Sequence, residues 1–260
     1  MEQQKPSLMW WIKILPLAGF LIFWEFASRN IERGVFYYGS PSSVFNVLSE
    51  RAANGSLLKD TSVTVFEVVI GFLIGNILGT LLGLLFWYNR YIAVLARPYV
   101  LVAGSIPAVA FAPIIILFFG IGIGSKIALV VFSTFVVATV QAFEGAMQAN
   151  PNYIRLMQSL GATRWTIFTK VIVPSSLVWL FTGFKLNIGF AILGAFIGEF
   201  ISSQAGLGHM IEIAKGLFNT PAVLAGIAMI ALVSVCLNAC ITFIQRKLIP
   251  WEYESNQMNQ

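Results

Sequence analysis

The chain has 260 residues, a formal net charge of +5 and a mean hydropathy of +0.82. With 58% hydrophobic and only 10% charged residues, against about 45–50% and about 25% in soluble domains, a soluble globular fold is excluded. The surplus positive charge is scattered between apolar runs rather than gathered on one face, so it is no nucleic-acid footprint and fits residues that orient membrane spans.

A bilayer crossing needs about 20 mostly apolar residues. Six runs meet or approach that length, at 10–28, 62–87, 98–119, 125–143, 176–200 and 222–245. The expected fold is therefore an all-α integral membrane protein with six transmembrane helices, a single domain over 1–260. Ahead of the first run, Lys5 and Lys13 precede Ile14–Trp24 in the manner of a signal peptide. Glu25 and Phe26 stand where small residues should lead to a cleavage site, so the run is read as a retained span. After it, Ser40-Pro41 reads as an N-cap followed by proline at the first helical position, opening an amphipathic stretch to about Ala53. That stretch, and a second one at Gly206–Phe218, either receives a partner or covers the bundle.

The second run carries Gly71, Gly75, Gly79 and Gly83, each four residues from the last. On a helix they form one small-residue stripe where another backbone approaches closely, within the subunit or across a dimer interface. In the third run Pro107 and Pro113 free backbone carbonyls and bend the helix, which points to a kinked element beside a pore. The Gly120–Lys126 segment resembles a phosphate-binding loop only superficially, because its glycine spacing is wrong and its lysine follows Ser125 and precedes Ile127. Lys126 is placed in a solvated segment between spans.

Glu144 to Pro174 is a polar interruption between two spans, so it must lie on an aqueous face. Asn150 and Pro151 open a helix that Gly161 closes in a left-handed conformation, predicting a short helix over about 151–160. Thr163 caps a second helix running through Trp165 and Phe168 toward Pro174. Tyr153, Ile154, Met157 and Leu160 are expected to be exposed on the short helix, a knob for a partner's groove. Charges within the spans are functional candidates because each is costly in hydrocarbon. Lys185 either snorkels or serves near an inner gate, Glu199 shapes an outer mouth or meets a partner, and Glu67 leans the path away from a purely anion-attracting one. In the last run Cys236 and Cys240 are read as packed thiols, and with a single histidine, His209, no metal site is expected.

Lysine and arginine placement gives an orientation. Lys5, Lys13, Arg90, Arg97, Arg155, Arg164, Lys170, Arg246 and Lys247 fall on one side, nine bases, against the six of Arg29, Arg33, Arg51, Lys59, Lys126 and Lys215. Both termini and the 144–174 loop are thus expected to be cytoplasmic.

Glu144-Gly145-Ala146, then Gly161 fifteen residues after Ala146, then Ile172-Val173-Pro174, closely resembles the EAA loop of ABC importer permeases. The chain departs from that motif by glycine at Gly145 in place of alanine and by Val173 in place of leucine. The resemblance covers about 60–252, with Ser159–Trp165 also similar, and is nearest to the branch serving nitrate, sulfonates, taurine, bicarbonate and pyrimidine thiamine precursors. It implies a type I importer permease in a bacterial inner membrane, working as a homodimer with two cytoplasmic ATPases and an external binding protein. The short helix would couple to the ATPase through the 144–174 residues, including Glu144, Gly145, Ala146, Gly161 and Pro174. ATP and magnesium would sit on that partner, with no cofactor and no bond chemistry in this chain. The solute is expected to be a small anion of the branch, or a pyrimidine or aromatic carboxylate. A secondary transporter driven by an ion gradient is the rival reading, but internal repeats and an intramembrane acid–base relay are not visible.

Overall fold

The computed structural model describes residues 6–248, apart from the side chains of residues 6–14 and of Arg90. The expectations for Lys5 and for both termini fall outside the described residues, as do the side chains of Lys13 and Arg90 among the orienting bases. All regular structure among the described residues is helical: α1 (Pro6–Asn30), α2 (Gly34–Tyr38), α3 (Pro41–Ala53), α4 (Ser56–Tyr88), α5 (Arg90–Ser105), a 3₁₀ turn, α6 (Ala112–Phe119), α7 (Ile123–Met147), α8 (Pro151–Ser159), α9 (Arg164–Ile167), a π turn, α10 (Val173–Ser202), α11 (Leu207–Gly216) and α12 (Thr220–Leu248). Four helical stretches, Ser56–Tyr88, Ile123–Met147, Arg164–Ser202 and Thr220–Leu248, are long and apolar enough to cross a bilayer, and a bent pair makes a fifth if it is one broken span. The predicted first span lies inside α1.

The bundle is organised around α7. Every glycine of the predicted stripe on α4 faces it. A Cβ on Gly71 would come within 2.6 Å of Val130, one on Gly75 within 2.9 Å of the Val131 carbonyl, one on Gly79 within 2.7 Å of Ala138, and one on Gly83 within 2.6 Å of Ala142. Of the two readings of the stripe, packing within the subunit is therefore the one the fold uses. From the other side α10 meets α7 in the same way. A Cβ on Gly194 would lie 3.0 Å from the Val130 Cα, one on Gly198 3.0 Å from Lys126, and one on Gly145 of α7 2.7 Å from Trp179 of α10. The glycine that departs from the EAA pattern is the one that admits Trp179. Without side chains in the way, three backbones approach closely, and dispersion between them replaces the hydrophobic drive that lipid cannot supply. Asparagines reinforce the stack in mid-span: Asn187 Nδ2 donates to Asn76 Oδ1 at 2.7 Å and to the Thr134 carbonyl at 3.2 Å.

The third predicted span is not one kinked helix. Its halves, Tyr91–Ser105 and Ala108–Phe119, meet at 93°. Ile106 is driven into extended backbone (φ −88°, ψ 125°) by the proline after it, Pro107 cannot continue a hydrogen-bond ladder, and Pro113 sits in the first turn of α6. In contrast to α7, α12 is covered on little of its surface, and Cys236 and Cys240 are exposed on it.

Candidate functional site

The polar loop forms as predicted and closes by local chemistry. Asn150 caps α8 by accepting from the Asn152 amide at 2.9 Å, and Pro151 occupies the first turn. Gly161 is left-handed (φ +75°), and the Gly161 and Ala162 amides donate back to the Gln158 and Met157 carbonyls at 3.0 and 2.9 Å, the paired closure of a Schellman motif. Thr163 then caps α9 through the Thr166 amide. The second helix does not stop at Pro174. It runs from Arg164 to Ser202, with a π turn at Phe168–Ile172 that ends one residue short of the proline. A proline inside a helix removes one N–H and collides with the preceding turn, and the widened turn accommodates both.

The exposed face of α8 differs from the expected one. Tyr153 and Leu160 are exposed, but Ile154 and Met157 pack inward against a cluster of Leu84, Ala146, Ala149, Ile167 and Ile172. Leu156, which the expectation left out, completes the outward face instead. On a helix 156 and 160 lie at one edge of the apolar arc and 154 and 157 at the other, with 153 and 157 only four apart, so the packing against the cluster decides which edge turns inward. Glu144 is exposed, Ala146 is buried, and Gly145 lies against Trp179. The loop is thus fastened to the spans by one apolar face while presenting another.

At the opposite end of the bundle lies a buried polar cluster. Glu199, 1% exposed, accepts from Thr64 Oγ1 and from the Gly208 amide, both at 2.6 Å. The Leu207 amide donates to Thr64 Oγ1 at 2.9 Å and the Gly206 amide to Asp60 Oδ1 at 3.1 Å. The first N–H groups of α11, which no helix can satisfy internally, are therefore capped by side chains from α4 and α10. Gly206 is left-handed (φ +116°), and a Cβ there would fall within 2.6 Å of the Glu199 carboxylate. Lys126, expected in a solvated segment, is buried with its ammonium donating to the Ile121 and Ser202 carbonyls. Glu67 is buried beside Glu199 and Lys126, and its Oε2 has no hydrogen-bond partner among the described residues. Lys185 stands apart from this cluster, half-buried on α10 and without an ion pair among the described residues.

Sequence reasoning picked out Glu67 and Glu199 but missed Asp60, Thr64, Lys126 and the asparagine pair. One signal was present: Asp60, Thr64 and Glu67 extend the face of α4 that continues as Gly71, Gly75 and Gly79, so polar residues at the head of a packing stripe had to be buried. Between α4, α10 and the far part of α12, a cleft of about 370 Å³ is lined by Phe72, Phe181 and Phe184 with Asn76 and Thr80. Pro107 and Pro113 are not among its lining residues.

The sequence profile described as "Binding-protein-dependent transport system inner membrane component" matches residues 75–251. The chain is 31% identical over 232 residues to the formylaminopyrimidine transport permease protein ThiX of Halalkalibacterium halodurans, covering 89% of this chain and 92% of that one. It is 32% identical over 232 residues to the riboflavin transport system permease protein RibX of Chloroflexus aurantiacus, covering 89% and 87%. In fold it is similar to a chain of the inward-facing MetNI methionine ABC transporter, with a TM-score of 0.65 at 16% identity over 76% of this chain and 97% of that one.

Proposed function

The chain belongs to the family of inner membrane components of binding-protein-dependent transport systems and is an ABC importer permease, and we propose that it is the six-span half of a homodimeric importer for a nitrogen heterocycle. α1 supplies the sixth span in this reading, and both termini and the 144–174 loop face the cytoplasm. Each subunit receives an ATPase on Tyr153, Leu156 and Leu160 of α8, and ATP and magnesium belong to that partner. An external binding protein delivers the solute at the α11 end.

The observation that carries the mechanism is the double fastening of α8. Its outward face is free for a partner, while Ile154 and Met157 join it to the cluster that contains Leu84 of α4 and Ile172 before α10. Displacing α8 moves that cluster, and the glycine-mediated stack of α4, α7 and α10 carries the movement as one body because close-packed backbones do not deform gradually. At the far end the same α4 and α10 hold α11 by its capped N-terminus. A push by the ATPase thus reaches the surface where the solute arrives.

The substrate class rests on the ThiX and RibX relatives, whose names specify a pyrimidine and a flavin. The Phe72, Phe181 and Phe184 rings suit the faces of a planar heterocycle. The small anions of the branch, taurine among them, are the second class, since the relatives also include the taurine transport permease TauC of Escherichia coli. Proteoliposomes holding the permease, its co-purifying ATPase and internal ATP, with no ion gradient, are expected to accumulate formylaminopyrimidine or riboflavin when the binding protein is added. Uptake of taurine instead would move the chain to the anion class, and uptake that needs an ion gradient but no ATP would remove the importer mechanism.

A further inference from the structure

At the loop end of the bundle, a cleft of about 690 Å³ opens between α4, α5, α7 and the start of α9. Its walls include Phe86, Trp87 and Phe143, and two guanidinium groups, Arg97 and Arg164, enter it from different helices. The Arg97 guanidinium lies 5.2 Å above the Phe143 ring and that of Arg164 5.3 Å above the Tyr88 ring. A cation seated on a ring is held in place, yet its N–H donors still require acceptors. Among the described residues neither arginine has a carboxylate within 4.0 Å. Glu144 lines a separate, much smaller hollow with Arg97 but does not pair with it. Two exposed cations that share one cleft and form no ion pair among the described residues suit an anion.

Depth selects which anion. At 1.5 Å per residue α4 is about 50 Å long, against a hydrocarbon core of about 30 Å and roughly 40–45 Å with headgroups. Its last turn bears Trp87 and Tyr88, which pack with Trp165 and Phe168 at ring separations of 5.3 to 6.1 Å. Tryptophan and tyrosine gathered at a span end mark the headgroup level. The anion available at that depth is a lipid phosphate, and the guanidinium is the side chain suited to its oxygens.

We propose that Arg97 and Arg164 form a binding site for the phosphodiester of an anionic glycerophospholipid, with the aromatic walls receiving the start of its acyl chains. The headgroup bridges the broken α5–α6 segment to the root of the coupling loop. The proposal rests on the membrane placement of the chain and is independent of its substrate, because the test reads lipid and not transport.

The full chain, purified in a mild detergent, is titrated with phosphatidylglycerol or phosphatidylcholine, and bound lipid is counted by native mass spectrometry. Phosphatidylglycerol is expected to be retained over phosphatidylcholine, with retention about tenfold weaker in Arg97→Gln/Arg164→Gln and largely kept in Arg97→Lys/Arg164→Lys. Lys170→Gln, which removes a charge at the same end but outside the cleft, should leave retention unchanged. Equal retention by wild type and the double glutamine variant overturns the site, as does an equal loss in Lys170→Gln. Displacement of phosphatidylglycerol by inorganic phosphate at similar concentration overturns the lipid as occupant and identifies a free phosphate. Should the double variant not fold, Arg97→Gln and Arg164→Gln are read singly, and wild-type retention in both overturns the site.

Discussion

The two ends of the bundle solve the same problem with opposite means. Each holds a short helix against the bundle. α8 is capped by its own neighbours in sequence, Asn150 and Gly161, and is fixed by an apolar face. α11 borrows its caps from Asp60, Thr64 and Glu199, residues brought from α4 and α10. An end built from local caps and greasy contact can be displaced and re-formed without exposing unsatisfied groups. An end built from buried charge-assisted hydrogen bonds resists displacement, since each broken bond strands a donor or a carboxylate in a dry site. In the proposed importer the loop end receives the push and the far end keeps its geometry while the spans move.

Breaking the far end should have the largest effect on stability. Glu199→Leu strands the Gly208 amide, costing about 1–3 kcal/mol when buried and unpaired, and leaves the Thr64 hydroxyl only the longer bond to the Asp60 carbonyl at 3.2 Å. A lowered melting temperature in detergent and new protease cleavage between Ser202 and Leu207 are expected, while ATPase capture by α8 persists. Unchanged protease resistance would show that α11 is held by packing alone. Next comes the stack that joins the ends. In Gly79→Val a Cβ meets the Phe135 carbonyl at 2.5 Å, a backbone atom that cannot rotate away, so about 1–3 kcal/mol of overpacking is expected. Both ends should keep their own structure, but ATP hydrolysis should no longer produce uptake in proteoliposomes.

Gly161→Val sharpens the contrast from the loop side. No atom lies within 4 Å of the new Cβ, so the penalty is the left-handed backbone alone, about 1–2 kcal/mol. The protein should insert normally and lose uptake while hydrolysis continues; normal uptake would remove the docking role of the loop. The smallest stability effect belongs to Leu156→Ser, an exposed position expected to stay within about 0.5 kcal/mol of wild type. Its ATPase should nonetheless be recovered in lower yield on co-purification, whereas Met157→Ser should lower the melting temperature through the lost inward contact. Equal behaviour of the two variants would mean that the faces of α8 are not divided as described.

The EAA-like spacing, the caps of α8, the left-handed role of Gly161, the capped opening of α3 and the glycine stripe were all legible in the sequence. Their causes lie within a few residues along the chain: a side chain that reaches its own backbone, a glycine that alone tolerates φ +75°, small residues at helical repeat. The partner of that stripe, the burial of Lys126, the capping of α11 by Glu199 and the split between the faces of α8 were settled only in three dimensions. A charged residue near a span end reads alike whether it meets water or an amide distant in sequence, and Thr64 and Glu199 lie 135 positions apart. Local propensity determined where the helices begin and end. Which buried donor meets which acceptor depended on three backbones drawn together by glycine, and so on the tertiary structure.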